Sequence, residues 1–326
     1  MQPDSNALRR LLGCEQQAGQ LDIVGRDEGS KLELHSSSLT DCNSVSILYN
    51  DSSMATRSQE LTFPAWLQRP LLPASAMIAA VPALIVLHRP SIGWPLLGVG
   101  LVLSLWLERA IRWQFWALAL VFAILGLTPI GTSVSLAHFL VAGPCIVGVV
   151  ILPYAILERW QKQDIIHYQL HHGRWRLNQI LYVLLPALLG YLILPAYFQA
   201  TGAYHNWEVH LGAGNLAGLF AGLMLVGVWD EFFFIATITG ILRHNLPFWL
   251  ANLLQAVVFS SFLYDLGFRS WGVCFAYVFA LTQAYIFKVT KSLLYAIAIH
   301  LAFDAVLFFA LIHAHYPHLL RIFILE

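Results

Sequence analysis

From Arg69 onward the sequence is a succession of apolar stretches, separated by short segments that hold charged, proline or glycine residues. A helix needs about 20 apolar residues to cross a bilayer, because each residue advances it by about 1.5 Å. The pattern therefore predicts nine membrane-spanning helices, although the second stretch is short and eight spans remain an alternative. The predicted spans are 70–88, 92–108, 114–133, 136–157, 178–198, 213–242, 246–264, 271–288 and 292–312.

The composition favours the same fold class, an all-α, polytopic transmembrane helix bundle. Hydrophobic residues make up 58% of the 326 residues and charged residues only 11%, whereas soluble domains carry about 25% charged residues. Lipid around most of the surface removes the need for more charges. The 18 basic and 18 acidic residues cancel, which argues against a strong nucleic-acid binder. We expect membrane lipid as a partner and no nucleic acid.

The first part of the chain is different, because it is polar and contains the serine-rich run HSSSLTDCNSVS. We predict a disordered N-terminal tail at 1–65 and a transmembrane helical domain at 66–326. Met54 begins a second plausible translation start within the tail.

Basic residues are distributed unevenly between the two sides that nine spans would create. With the N-terminus inside, eleven basic residues near the membrane fall on the cytoplasmic side and three on the outer side. Short cytoplasmic loops carry an excess of lysine and arginine, so this bias predicts a cytoplasmic N-terminus. We expect a multi-pass protein of a bacterial inner membrane. The inside residues are Arg57, Arg69, Arg109, Arg112, Arg159, Lys162, Arg174, Arg176, Arg243, Lys288 and Lys291, and the outside residues are Arg89, Arg269 and Arg321.

Two adjacent acids interrupt the sixth apolar stretch. In VWDEFFFIATITGILR, Asp230 and Glu231 are the only charged residues before Arg243. A carboxylate at the centre of a bilayer costs about 2.5–3.5 kcal/mol on insertion scales, and such residues usually face a cavity or a partner. The two acids therefore predict an intramembrane polar site.

The partners expected for these acids lie on later spans. His300 and Asp304, in AIAIHLAFDAVLFF, are four residues apart and share one face of a helix. With a helical rise of about 1.5 Å per residue, counted from the inner ends of the predicted spans, Glu231 and Asp304 lie about 18 Å from the inner edge of the membrane. His300 lies at about 12 Å. Gln255 falls at a similar height, so we predict one shared layer. The alternative is that His300 and Asp304 only neutralise each other and that Glu231 anchors helix packing.

These residues resemble the motifs of the CPBP family, also called Abi or CAAX-protease-like intramembrane proteases. The resemblance covers about residues 213–312. The family carries E-E-x-x-x-R on one span, F-x-x-x-H on the next and H-x-x-x-N/D on a later one. In this sequence Asp230 and Glu231 stand at the two acidic positions, Phe259 matches the second motif, and His300 and Asp304 complete the third. Ile235 and Leu263 replace the family arginine and histidine.

The resemblance implies an intramembrane endopeptidase in which a carboxylate activates water and the third motif supports the water or the oxyanion. We predict Glu231, Asp230, His300 and Asp304 as catalytic residues, with Glu231 favoured as the base because Asp230 is one methylene shorter. The substrate is a membrane-associated peptide or protein of unknown identity. The family is commonly labelled metalloprotease, so the resemblance leaves a divalent metal open. The residues firmly imply no cofactor, since one His/carboxylate pair falls short of a zinc ligand set.

Two other functions remain open at this point. Because Ile235 and Leu263 depart from the motifs, the chain is alternatively a catalytically impaired relative that binds a membrane or peptide partner. Buried acids also occur in proton-coupled transporters, but the sequence shows no inverted repeat or pair of broken helices.

Overall fold

The structure, a computed structural model, describes residues 65–132, 136–170 and 175–323, and all of them belong to one compact unit, Glu60–Glu326. Throughout this part of the chain the regular structure is helical and contains no strand. The predicted all-α fold class is confirmed. The predicted tail at 1–65 lies outside the described residues apart from Ala65.

Among the described residues a helix lies on each of the nine apolar stretches of the sequence, with its ends shifted from the predicted bounds. One span is a composite, because α6 continues through a π-helical segment, Glu231–Ile238, into α7. A second π-helical segment, Ala155–Trp160, extends α4. The α-helices of the described residues are α1 (Ala65–Ile85), α2 (Pro90–Ser104), α3 (Arg109–Leu127), α4 (Leu136–Tyr154), α5 (Leu177–Thr201), α6 (Ala213–Asp230), α7 (Thr239–Asn245), α8 (Phe248–Asp265), α9 (Gly272–Thr290) and α10 (Leu293–His315).

Six helical segments of the described residues are long and apolar enough to cross a membrane. Two shorter apolar helical segments, Arg69–Ile85 in α1 and Pro90–Ser104 in α2, accompany them. These six segments are Arg109–Leu127, Leu140–Trp160, Leu177–Thr201, Ala213–Asn245, Gly272–Thr290 and Leu293–His315.

Helix α10 is the central helix around which the site is arranged. It begins after Lys291, whose φ of 53° ends α9 and reverses the chain. The Ser292 hydroxyl then accepts a hydrogen bond from the Tyr295 backbone N–H at 3.2 Å, which satisfies one of the free amides of the first turn. Because α10 packs against α5, α6 and α9, two polar residues on its buried face lie inside the bundle.

α6, the π-helical segment and α7 form one continuous helix, the composite helix. Aromatic side chains pack this composite helix against α8. Phe233 and Phe234 lie two and three residues after Glu231 and are fully buried. The Phe234 ring lies 5.0 Å from that of Phe259 and 5.6 Å from that of Phe262, in edge-on and tilted arrangements that aromatic rings prefer. The composite helix therefore has little freedom to rotate about its axis, and the direction of the acidic side chains is fixed.

The π-helical segment begins at Glu231, immediately after Asp230. Within and just after it, the hydroxyls of Thr237 and Thr239 each donate to the carbonyl five residues earlier, at 2.9 Å. A π-helical turn is wider than an α-helical turn and is found frequently at functional sites. The change of helix type thus occurs at the acidic pair that the sequence singled out.

Candidate active site

His300 is the centre of a buried polar cluster that joins α6, the π-helical segment and α10. Its Nδ1–H donates to Glu231 Oε1 at 2.8 Å. Its Nε2 lies 3.8 Å from Asp230 Oδ2 and 3.8 Å from Asp304 Oδ2. The predicted proximity of the acidic pair to the α10 residues is confirmed, and all four predicted site residues are brought together.

The four side chains are almost completely removed from the protein surface. Asp230 and Glu231 are 1% and 0% exposed, and His300 and Asp304 are also buried. No lysine or arginine in the described part of the chain lies within ion-pair distance of them. Three carboxyl groups thus share a single imidazole, an arrangement that is costly in an apolar interior.

Glu231 is held by a fifth side chain, Gln283 on α9. The Gln283 amide donates to Glu231 Oε1 at 2.8 Å and to the Ala296 carbonyl at 3.1 Å. The same carboxylate oxygen therefore accepts from both Gln283 and His300. This shared acceptor fixes the imidazole, because the ring is held at Nδ1 and presents Nε2 to the other two acids.

Asp230 has no comparable support. Neither of its carboxylate oxygens makes a hydrogen bond, although the side chain is buried. Buried carboxylate oxygens are nearly always hydrogen-bonded, so two free oxygens on one side chain call for an explanation. A distance of 3.8 Å to His300 Nε2 is too long for a hydrogen bond but suits a bridging water molecule or substrate oxygen.

The third acid, Asp304, is placed by a close approach of α6 to α10. A Cβ added to Gly227 would collide with Asp304 Oδ2. Gly227 lies on α6 one turn before the acidic pair and is itself buried. The absence of a side chain at this position is what allows the Asp304 carboxylate to sit against α6, as small residues do where membrane helices pack closely.

A cavity of about 370 Å³ lies next to the cluster. Its size is within the range of about 300–1,000 Å³ that is typical of ligand sites. Asp230, His300 and Asp304 line it, whereas Glu231 does not. The other walls are mainly apolar side chains of α4, α6, α8, α9 and α10. The cluster therefore divides into three groups that face the cavity and a Glu231–Gln283 pair behind them.

Sequence reasoning was wrong about Gln255 and missed Gln283. Gln255 is buried, but its amide donates to Asn252 Oδ1 at 2.8 Å and to the Ala280 carbonyl at 3.1 Å, away from the cluster. Both glutamines lie in apolar helices, and height along the span does not distinguish them. What distinguishes Gln283 is that it lies on the face of α9 that packs against α10. The sequence alone does not show which face that is.

The comparisons with known proteins bear on the same region. Residues 212–306 match the family model described as type II CAAX prenyl endopeptidase, Rce1-like. This segment is CAAX protease-like. It runs from the start of α6 into α10 and includes the five residues of the cluster. No curated protein and no solved structure matches the chain at a significant level. The predicted resemblance is confirmed, and with the apolar helices it identifies an integral membrane protein.

The two positions that depart from the CAAX-protease-like motifs are apolar in the structure as well. Ile235, at the expected arginine, is 0% exposed and belongs to the main hydrophobic core. Leu263, at the expected histidine, lines the cavity. Phe259 keeps its place in the second motif, and its ring centre lies 6.2 Å from that of His300. Within the described residues, the ionisable and amide side chains that meet at this site are therefore the five of the cluster.

The donor groups of the cluster do not fit a metal ion. In the described ranges, no group of three or more His, Cys, Asp or Glu residues is arranged to hold one. Glu231 Oε1 already accepts two hydrogen bonds, and a structural zinc site needs four ligands or a catalytic site three. We therefore derive no step through a metal. What the arrangement can do is hold a water molecule between a carboxylate and an imidazole.

Proposed function

We propose that the protein is an intramembrane endopeptidase that hydrolyses a peptide bond with water activated by Asp230. One observation carries this proposal. Both Asp230 oxygens are buried without a hydrogen bond, at the floor of a cavity and 3.8 Å from His300 Nε2 on the nearer side. A carboxylate in this state can bind water and accept its proton.

The proposal exchanges the roles of the two acids that the sequence favoured. Glu231 has the longer side chain, but it lies outside the cavity and its Oε1 is occupied by Gln283 and His300. We assign it the role of holding the imidazole at Nδ1 and balancing its positive charge. His300 then presents Nε2–H to the cavity, where it can donate to a developing oxyanion.

The proposed reaction uses protein groups alone. The oxygen of the bound water attacks the carbonyl carbon of the peptide bond, and Asp230 takes the proton that the water loses. The carbonyl oxygen becomes an oxyanion that accepts a hydrogen bond from His300 Nε2–H. Asp230 returns its proton to the amide nitrogen as the C–N bond breaks, which gives a carboxylic acid and an amine. Asp304 stays beside Nε2 and fixes the orientation of the imidazolium.

The test uses the full-length protein, purified and reconstituted into liposomes with apolar membrane-spanning peptides. Asp230→Asn keeps the shape and removes the base, so we expect hydrolysis to fall roughly 100-fold or more. The matched control is Asp265→Asn on α8, which should keep its activity, because Asp265 does not line the cavity and its carboxylate lies 3.7 Å from His88 Nε2. Full activity in Asp230→Asn would overturn the assignment of the base, and inhibition by a chelator that zinc reverses would overturn the metal-free mechanism.

A second candidate function follows from Leu263. The cavity contains a leucine where the family has histidine, so one polar group of the usual site is missing while the space is retained. Such a chain would bind a membrane or peptide partner in the cavity without cutting it. Tight retention of an apolar peptide with no hydrolysis, in protein whose helical content is intact, would favour this function over the first.

We also propose the membrane arrangement in full: eight or nine spans, a polar tail at 1–65, a helical domain at 66–326 and a cytoplasmic N-terminus in a bacterial inner membrane. The bias of basic residues supports the orientation. Reporter fusions should place residues 158–177 and 288–291 in the cytoplasm and residues 199–211 outside. An external 158–177 loop would refute the orientation or the number of spans.

A further inference from the structure

The strap, our name for residues 163–170, follows the π-helical end of α4 and has no regular secondary structure. Its backbone is nevertheless held in place. One carboxylate oxygen of Glu158 accepts hydrogen bonds from the backbone N–H groups of Ile165 and Ile166, at 2.7 and 2.6 Å, and both isoleucine side chains are buried. A segment with paired amides and buried side chains opens less readily than an exposed loop. The strap can therefore act as a fixed point for the helices that it contacts.

The first of these contacts joins Tyr168 of the strap to the π-helical segment. The hydroxyl groups of Tyr168 and Thr237 lie 3.0 Å apart. Because the Thr237 hydroxyl donates its own proton to the Phe232 carbonyl at 2.9 Å, Tyr168 is the donor to Thr237. The rings of Tyr168 and Phe232 also pack together, with their centres 5.2 Å apart. Phe232 directly follows Glu231, so this chain of hydrogen bonds ends at the turn that carries the acidic pair.

The second contact joins the next strap residue, Gln169, to α10. The backbone N–H of Leu293 donates to the Gln169 carbonyl at 2.8 Å. Leu293 is the first residue of α10, and an amide at this position has no acceptor within its own helix. His300 lies two turns further along the same helix, at a distance of roughly 10 Å. Two adjacent strap residues thus contact both of the helices that meet in the Glu231–His300 hydrogen bond.

The relative position of these two helices matters to the site, because its close contacts run between them. Glu231 Oε1 accepts from His300 Nδ1 at 2.8 Å, and Asp230 lies 3.8 Å from His300 Nε2. A displacement of about 1 Å at a reacting centre can cost about 100-fold in rate. No strap residue lines the cavity, so the strap can influence a reaction there only through the position of the helices.

We propose that Tyr168 is a positioning residue. Through Thr237 its hydroxyl holds the π-helical segment at a fixed distance from α10, so that Glu231 keeps the His300 imidazole in its working orientation. This inference rests on the proposed peptidase function and adds to it a residue that lies outside the cavity. It follows from the hydrogen-bond chain between Tyr168 and the acidic turn, and from the second contact of the strap, with the first amide of α10.

The first experiment measures kcat and KM for a membrane-spanning peptide with the full-length protein in liposomes. Tyr168→Phe keeps the ring and removes only the hydroxyl. We expect kcat to fall roughly 10-fold, less than the loss for a full displacement of about 1 Å. KM should stay constant, because Tyr168 does not line the cavity. A wild-type kcat in this variant would overturn the inference, and so would a change confined to KM.

Tyr154→Phe is the matched control. The Tyr154 ring lies 5.6 Å from that of Tyr168, but within the described part of the chain its hydroxyl makes no hydrogen bond. Both kcat and KM should therefore remain at their wild-type values. An equal fall of kcat in the two variants would mean that the loss follows from altered ring packing, and the role assigned to the Tyr168 hydroxyl would be wrong.

A double-mutant cycle tests whether Tyr168 acts through Thr237. Thr237→Val should lower kcat by a similar factor, and combining it with Tyr168→Phe should cost little more, because both changes break the same chain. Thr237→Ser keeps the hydroxyl and should restore kcat. Fully additive losses in the double variant would overturn the inference. If Tyr168→Phe does not fold, equal kcat values in Thr237→Val and Thr237→Ser would overturn it without that variant.

Thr239→Val provides the comparison for this cycle. The Thr239 hydroxyl also donates to the carbonyl five residues earlier, that of Phe234, at 2.9 Å, but it makes no hydrogen bond to the strap. Because Thr239 and Tyr168 share no partner, any loss of kcat in Thr239→Val should add fully to that of Tyr168→Phe. Coupling as strong as that of Thr237 would show that the chain through Thr237 is not the route.

The wild-type protein separates the failure of this inference from the failure of the function on which it rests. Absence of hydrolysis by the wild type would overturn the peptidase function and the positioning role together. Hydrolysis by the wild type that is lost in Asp230→Asn and fully kept in Tyr168→Phe would overturn the positioning role alone.

Discussion

Two buried polar clusters lie in the same bundle and differ in charge and in whether they line the cavity. On α8, Asn252 and Gln255 form a neutral pair that binds backbone carbonyls of α9, with Asn252 donating to the Leu281 carbonyl at 2.9 Å. Around α10, three carboxyl groups and one imidazole form an ionisable cluster in which both Asp230 oxygens remain free. The first cluster joins two helices, and the second faces a cavity.

This difference shows which buried polar residues are candidates for chemistry. A neutral amide that binds a neighbouring helix reduces the cost of its own burial and gains packing specificity. An acid that lines an internal cavity without a hydrogen bond destabilises the fold. Such an acid is therefore a candidate for a functional role. Substitutions in the two clusters and in their supporting residues test this division.

The largest effect is expected at His300, the residue that contacts all three acids. His300→Gln keeps a polar side chain of similar reach but loses the imidazole, so both the oxyanion donor and the partner of Glu231 disappear. We expect peptide hydrolysis to fall by roughly 100-fold or more. The measurement is single-turnover cleavage of a membrane-spanning peptide in liposomes.

His315→Gln provides the matched control for that change. His315 lies on the same helix, but its Nε2 donates to the backbone carbonyls of Tyr204 at 3.2 Å and Trp207 at 2.9 Å. We expect it to lower thermal stability and to leave activity per folded molecule unchanged. Equal losses of activity in the two variants would contradict a catalytic role of His300 that His315 lacks.

A smaller loss is expected from adding one methyl group at Gly227. Alanine there would place a Cβ against Asp304 Oδ2, and the carboxylate or the helix must move. A displacement of about 1 Å at a reacting centre can cost about 100-fold in rate, so we expect a loss between 10-fold and roughly that size.

Gly218→Ala is the control for Gly227→Ala, because it adds the same methyl group to the same helix where nothing lies within 4 Å. Replacing glycine by alanine inside a helix stabilises it by about 0.5–1 kcal/mol, so activity should be retained and stability should rise. Comparable inactivation by both substitutions would show that α6 tolerates no methyl group anywhere and that Asp304 is not the cause.

The helical fold and four members of the site could be predicted from the sequence. Apolar stretches of membrane-spanning length locate helices with few alternatives, and a buried acid is costly enough that Asp230, Glu231, His300 and Asp304 were expected to meet. The roles of the two adjacent acids could not be read in the same way. Neighbouring residues on a helix point in different directions, and which one faces the cavity depends on how α6 is rotated against α10.

The same limit explains the exchange of Gln255 for Gln283. Both are single amides in apolar helices, so composition and depth treat them alike. Only the packing of α9 against α10 brings the Gln283 amide to Glu231. The π-helical segment at Glu231 adds to the difficulty, because it changes the rotation per residue at the point where the direction of the side chains matters.

An intermediate effect is expected when the support of Glu231 is removed. Gln283→Leu deletes one of the two hydrogen bonds to Glu231 Oε1. A hydrogen bond to a charged group contributes about 1.5–3 kcal/mol, and the low end of this range corresponds to about a 10-fold change in rate. We expect kcat to fall by about that factor while KM stays constant, because Gln283 does not line the cavity.

Gln283→Glu sharpens the same prediction. It keeps the length of the side chain but replaces the donor by a second carboxyl group beside Glu231, so kcat should fall at least as far as in Gln283→Leu. A wild-type kcat in Gln283→Glu would contradict the positioning role of Gln283, and so would a change confined to KM. Gln283 would then only stabilise the packing of the helices.

The smallest effect on activity is expected at Gln255, although it is as deeply buried as Glu231. Gln255→Met preserves the volume and removes the hydrogen bonds to Asn252 and to the Ala280 carbonyl. Because one typical hydrogen bond contributes about 1 kcal/mol, the variant should lose stability of that order, measured by thermal unfolding in detergent. Its rate of peptide hydrolysis should stay within about twofold of the wild type, since no contact of Gln255 reaches the cavity or His300. A large loss of activity with unchanged stability would mean that α8 and α9 transmit the Asn252–Gln255 contacts to Gln283 and Glu231. In that case the two clusters would act as one network, and burial of an amide next to a catalytic helix would have to be counted as part of the site.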